Sequence, residues 1–152
     1  LCYSEEDPIL SCCDCSESSC LNLNGSLESN LADWTVLLPG AWIWSSNYGG
    51  SAVYNGTDGG GSFYQDILTI GTTYRISFDY HVVNNDDVNE ITYFVGYTIS
   101  APLANADGSY SVDVIVTCTT GTDFGIYAYN GGKQDPSVLF VNNICVREIL
   151  IP

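Results

Sequence analysis

Residues 61–82 read GSFYQDILTIGTTYRISFDYHV. Ser62 to Ile67 forms one extended run, Gly71 marks a turn, and Tyr74 to Val82 forms a longer run. In the longer run Tyr74, Ile76, Phe78, Tyr80 and Val82 alternate with Arg75, Ser77, Asp79 and His81. A period of two places the apolar set on one face of a strand and the polar set on the other. The stretch therefore predicts a strand, a short turn and a longer strand whose apolar face covers a core.

The rest of the chain repeats this pattern. Short β-branched and aromatic runs are expected as strands at Trp34–Leu38, Trp42–Ser45, Ser51–Tyr54, Glu90–Ser100, Tyr110–Cys118, Asp123–Tyr129 and Val138–Ile149. Between them lie turn-forming clusters: Pro39-Gly40, the glycine-rich 55–61, the polar 84–89, and 105–109. In the run from Glu90, residues Ile91, Tyr93, Val95 and Tyr97 are expected on one face. In the run from Tyr110, Val112, Val114 and Val116 continue the face that Tyr110 begins. Eight or nine strands at this spacing predict an all-β, two-sheet antiparallel jelly-roll sandwich. With 152 residues the chain can bury a real core as one domain. The expected division is a Cys-rich arm at 1–20 and the sandwich at 21–152.

Eighteen acidic residues stand against three basic ones, a net charge of −15. Phosphate contacts need Lys and Arg, so nucleic acid and anionic membranes are poor partners. The charge reads as solubility through self-repulsion, or as cation binding or an acidic outer surface. No apolar run is long enough to span a bilayer. The chain begins at Leu1 with no signal peptide, which implies processing or a place within something longer.

The arm holds Cys2, Cys12, Cys13, Cys15 and Cys20 among several carboxylates. It has too few apolar residues for its own core. Cys12, Cys15 and Cys20, with Cys2 or Cys13 as a fourth ligand, could hold a tetrahedral zinc. Disulfides would tie the arm down equally well, and a tail of free thiols is the third reading. An arm of this kind suits assembly, either with itself or with other structural subunits.

A resemblance emerges from motifs in order along residues 21–149. They are Asn24-Gly-Ser-Leu-Glu28, Trp34, Phe63-Tyr-Gln65-Asp-Ile-Leu, Gly71-Thr-Thr-Tyr74-Arg-Ile-Ser-Phe78 and Leu139-Phe-Val-Asn142-Asn-Ile-Cys-Val146. This order resembles the galactose-binding-like jelly roll of carbohydrate-binding modules. Such modules accompany glycoside hydrolases and also occur in phage tail and fibre proteins. The resemblance implies a structural calcium ion held by Glu28 and the residue at Asn142. It also implies a place for Gln65 near the binding groove. Asn142 departs from the Asp of that pattern and brings no charge, which weakens a calcium site. The arm lies outside the resemblance and points towards a virion or extracellular fibre.

Aromatic rings stack on the apolar faces of sugars while amides and carboxylates take the hydroxyls. The candidates are Trp42, Trp44, Tyr48, Tyr54, Tyr64, Gln65, Tyr127 and Tyr129, with Lys133 and Gln134 nearby in sequence. Trp34 and Phe78 are expected in the core. Asn84, Asp86, Asp87 and Glu90 lack calcium-loop spacing and read as a solvated turn. His81 stands mid-strand without a nucleophile motif, and nothing singles out a carboxylate pair for glycosidic hydrolysis. Asn24-Gly-Ser26 and Asn55-Gly-Thr57 match the glycosylation sequon, meaningful only in a eukaryotic secreted protein. The expected function is a non-catalytic structural or adhesion subunit of a virion or extracellular fibre. The alternative is a secreted glycan-binding module.

Overall fold

The computed structural model describes residues 20–37, 41–54, 60–83, 90–129 and 138–149. Ten strands run in order: β1 (Thr35–Leu37), β2 (Trp42–Ser45), β3 (Ser51–Tyr54), β4 (Gly61–Asp66), β5 (Thr73–Val83), β6 (Glu90–Val95), β7 (Thr98–Ile99), β8 (Gly108–Thr117), β9 (Asp123–Tyr129) and β10 (Val138–Glu148). They form two five-stranded sheets, ordered β1-β4-β9-β6-β7 and β2-β3-β10-β5-β8. All pairings in both sheets are antiparallel. The architecture is the expected jelly-roll sandwich.

The alternation in β5 has the predicted consequence. Tyr74, Ile76, Phe78, Tyr80 and Val82 are buried, while Arg75 and Val83 are exposed. From the other sheet Phe63, Ile91, Val95, Phe124 and Ile126 meet them in one continuous core. Removing this apolar area from water supplies the main drive to fold. β8 follows the same rule at the sheet edge: Tyr110, Val112, Val114 and Val116 pack half-buried against the core.

The predicted strand from Glu90 to Ser100 is in fact two. Gly96 interrupts it at φ +59°, where a Cβ would strike the Thr120 carbonyl oxygen. Only glycine accepts both the left-handed backbone and so close an approach. The break changes facing: Tyr93 still packs towards the core, but Tyr97 is turned out and lies 80% exposed. Tyr97 therefore does not share a face with Ile91, Tyr93 and Val95.

β10 carries a bulge. Its register against β5 shifts between Asn142 and Cys145. Asn143 adopts φ +52°, and Ile144 turns into the core. The segment before β1 is laced to this bulge: Asn22 Nδ2 donates to the Ile144 carbonyl, and Val146 N–H donates to Asn22 Oδ1. Ile144 N–H donates to the Gly25 carbonyl.

Cys20 forms a disulfide with Cys145, 125 residues away in sequence. Cys20 is thus no zinc ligand, because its sulfur is already bonded to a strand of the sandwich. Cys20 also belongs covalently to the domain whose start was expected at residue 21. Cys2, Cys12, Cys13 and Cys15 lie outside the described residues. Among the described residues Cys118 is a buried free thiol, directed at the Thr120 and Gly121 carbonyls.

Candidate functional site

The eight residues chosen from sequence do not gather in one place. Trp42 is only 2% exposed. Its ring lies 4.6 Å from Phe63 and 5.5 Å from Tyr54. Tyr54 is fully buried. Neither ring can stack on a ligand, so both leave the candidate set as core residues. Gln65 leaves it too. It is buried, accepts from Leu23 N–H at 3.0 Å and donates to the Leu23 carbonyl at 2.7 Å. A buried amide spent on backbone groups fastens the incoming chain to β4. Trp44 sits two residues beyond Trp42, opposite Ala52 of β3, and is much less covered. It is 36% exposed, and its indole N–H donates to the Leu27 carbonyl.

Tyr64, Tyr127 and Tyr129 do come together, on the outer face of the first sheet. β9 lies between β4 and β6. Cross-strand register aligns Ser62, Tyr127 and Thr92 in one row and Tyr64, Gly125 and Phe94 in the next. Gly125 forms the floor between two rings. A Cβ there would stand 2.4 Å from Phe94 and 2.6 Å from both the Phe63 carbonyl and Tyr64 Cβ. The missing side chain lets Tyr64 and Phe94 approach to 6.4 Å between centroids. Gly60 lies against the Tyr127 hydroxyl and the Tyr129 ring. Thr92, Phe94, Tyr97, Ile99, Asp123 and Tyr127 line a shallow groove of about 350 Å³. Phe94 lies on the face of β6 opposite Ile91 and Val95, as the alternation has it, but is not among the residues chosen from sequence; Tyr97 escapes the sequence reading because the break at Gly96 turns it out.

Carboxylates stand beside this aromatic trough. Glu90 is paired in register with Tyr129, and Asp66 with Asp123. Burial raises the Tyr127 pKa above its ordinary value, with smaller contributions from Glu90 and Tyr129. Burial also raises Asp123, and the Asp66 charge adds to it. A raised carboxyl favours the fold when protonated. That contribution is complete below the unfolded-state pKa and is lost as pH rises through the folded one. Asp123→Asn is therefore expected to raise the melting temperature at pH 7 by about 1–3 °C, the scale of relieving one cross-strand like-charge pair. The gain should vanish near pH 3. Equal gains at both pH values in thermal melts would show that charge is not the cause.

Tyr48 belongs to the opposite sheet. It lies in a short 3-10 turn, Asn47–Gly49, at φ +55°. A left-handed tyrosine costs on the order of 1–2 kcal/mol. Its ring rests 4.6 Å from His81 and 4.8 Å from Phe140, and Asn142 Nδ2 donates to its carbonyl. Glu28 is exposed. Among the described residues no three His, Cys, Asp or Glu side chains converge on a metal position. Glu90 opens β6, while Asn84, Asp86, Asp87, Lys133 and Gln134 lie outside the described residues.

His81 Nδ1 and Ser109 Oγ share a hydrogen bond of 2.6 Å. Activating a serine this way needs a third group to orient the imidazole. The adjacent carboxylate, Asp79, instead accepts from Ser111 and Asn143. Among the described residues the Ser–His contact therefore shows no orienting acid.

No family model matches the chain, and no curated protein matches it. Solved structures do. The arabinose-bound α-L-arabinofuranosidase MgGH51 superposes with a TM-score of 0.63 at 10% identity, over 88% of this chain and 27% of that one. The enzymatically active domain of tailspike protein 4 from bacteriophage CBA120 gives 0.63 at 12% identity, over 88% and 22%. The module TmCBM61 in complex with β-1,4-galactotriose gives 0.57 at 9% identity, over 86% and 99%. The chain spans about a quarter of the first two and nearly the whole of the third. These likenesses show the fold: a two-sheet jelly-roll sandwich of the kind seen in these structures. No helix among the described residues is long and apolar enough to cross a membrane.

Proposed function

We propose that this chain is a non-catalytic glycan-binding module whose site is the outer face of the first sheet. The observation that carries the reading is the groove lined by Phe94, Tyr97, Asp123 and Tyr127, with Tyr64 facing Phe94 across Gly125 and the Tyr129–Glu90 pair in the row beyond Tyr127. Rings supply stacking surface, and the carboxylates and Thr92 supply partners for hydroxyls. A shallow open trough suits a polymer chain better than an enclosed small molecule. Adhesion of a virion or an extracellular fibre to a polysaccharide surface is the setting we infer. The arm at 1–20 would then serve assembly.

Affinity electrophoresis in gels containing soluble β-1,4-galactan, arabinan or xylan tests this. The parent should be retarded by at least one polymer. Tyr127→Ala should weaken retardation about tenfold, the scale of one lost aromatic stack with its buried area, while the melting temperature stays close to the parent's. Retardation that survives Tyr127→Ala and Tyr64→Ala together would move the site elsewhere. The second reading is a structural subunit that meets protein through this face. The exposure of Leu37, Tyr97 and Ile99 around it favours that reading. Oligomers that dissociate on Tyr97→Ser, without retardation by any polymer, would select it.

A further inference from the structure

The outer face of the second sheet carries a groove of about 410 Å³ that shares no residue with the aromatic trough. We propose that this groove is a separate saccharide site, which takes one neutral polyhydroxylated ring stacked on Tyr48. Its volume falls in the ordinary range for small-molecule sites, roughly 300–1,000 Å³. Three independent features support it.

The first is strain brought to one place. Tyr48 and Asn143 both hold left-handed backbone, at φ +55° and +52°, and both line this groove. Non-glycine residues in that region persist where surrounding structure over-determines them, and such residues cluster at ligand sites. Tyr48 is pinned through its carbonyl by Asn142. The β10 bulge aims Asn143 across the sheet, where its Nδ2 donates to Asp79 Oδ2 at 2.9 Å. Bulges commonly re-aim a side chain in this way.

The second feature is an offered ring. Tyr48 is 50% exposed although His81 and Phe140 support it from beside. One part of the ring is held and the remainder faces solvent.

The third is the set of polar groups. Asp79, His81, Ser109, Ser111 and Asn143 surround the ring. They mix donors with acceptors, as vicinal hydroxyls require. No Lys or Arg is among the described lining residues, and the chain carries −15, so an anion is disfavoured. The one carboxylate already accepts on both oxygens, from Ser111 at 2.5 Å and from Asn143. It acts as a fixed acceptor rather than as the counter-ion of a cation.

Amide shift mapping by NMR tests the proposal, with galactose, glucose, xylose and arabinose as probes. At least one sugar should shift the amides of Tyr48, His81, Ser109 and Asn143 saturably. Tyr48→Ala should abolish those shifts. Asn143→Gly, which keeps the left-handed backbone and removes the amide, should weaken them about tenfold. Tyr127→Ala should leave them unchanged. Shifts confined to residues 62, 92 and 125–127 would overturn this site while leaving the first-sheet reading intact. Shifts here with no polymer retained by the trough would do the reverse. No shift at these four amides with any of the sugars, or shifts indifferent to both groove variants, would also overturn the proposal.

Discussion

Replacing Cys20 and Cys145 together by serine is expected to lower the unfolding free energy by about 3–5 kcal/mol. The bridge closes a loop with a sequence separation of 125 residues. In the chain-entropy account a cross-link over such a loop removes close to 5 kcal/mol worth of denatured-state freedom, and measured removals of native bridges fall at or somewhat below that figure. A domain of ordinary stability has only about 5–15 kcal/mol in total. For a chain of this size the loss corresponds to a fall of roughly 10–15 °C in melting temperature. Thermal melts of the double variant beside the oxidised parent decide it. The double variant avoids leaving an unpaired thiol, which could exchange with other cysteines. A melting temperature within about 2 °C of the parent would mean that the Asn22 hydrogen bonds, not the bridge, hold the opening segment on β10.

The second large effect is a contrast between neighbours. Trp42→Ala is expected to cost about 3–5 kcal/mol and Trp44→Ala only about 1 kcal/mol. Trp42 stands on an edge strand of one sheet, yet its ring reaches Phe63 of the other. Its loss opens a cavity between the sheets, and the strand it anchors has only β3 for a partner among the described residues. Trp44 loses the hydrogen bond to Leu27 and a half-covered ring. Urea titrations of both variants measure the difference. Equal midpoints would contradict the depth assigned to Trp42. Loss of glycan binding in Trp42→Ala would therefore report unfolding and would not locate a site.

The two tryptophans also mark where sequence stops informing. Alternation tells which residues share a strand face, and it identified β2, β3 and β9 with their observed ends. It does not tell how far along that face the core extends. Trp42 and Trp44 share a parity, but only one lies over the opposite sheet. The breaks were harder. Gly96 looked like one small residue in a strand, and its positive φ comes from the close approach of Thr120. Cys20 has nothing near it in sequence to suggest Cys145, because their meeting depends on the whole sandwich closing. The same is true of the candidate trough. Tyr64 and Tyr127 are legible as outward residues of their strands. That β9 lies beside β4, and that Gly125 separates Tyr64 from Phe94, follows from topology that local patterns do not contain. Tyr48 was legible as an aromatic in a loop, but its partner groups come from β5, β8 and the β10 bulge.

The position of the bridge has a mechanical consequence. Cys145 projects from β10, the middle strand of the second sheet, on the side away from the aromatic trough. A pull applied through the residues before Cys20 enters the sandwich by a covalent bond at its centre. It does not peel an edge strand one hydrogen bond at a time. The load enters β10 at a residue paired with β5, past the bulge and beyond the Leu139–Val141 stretch that pairs with β3.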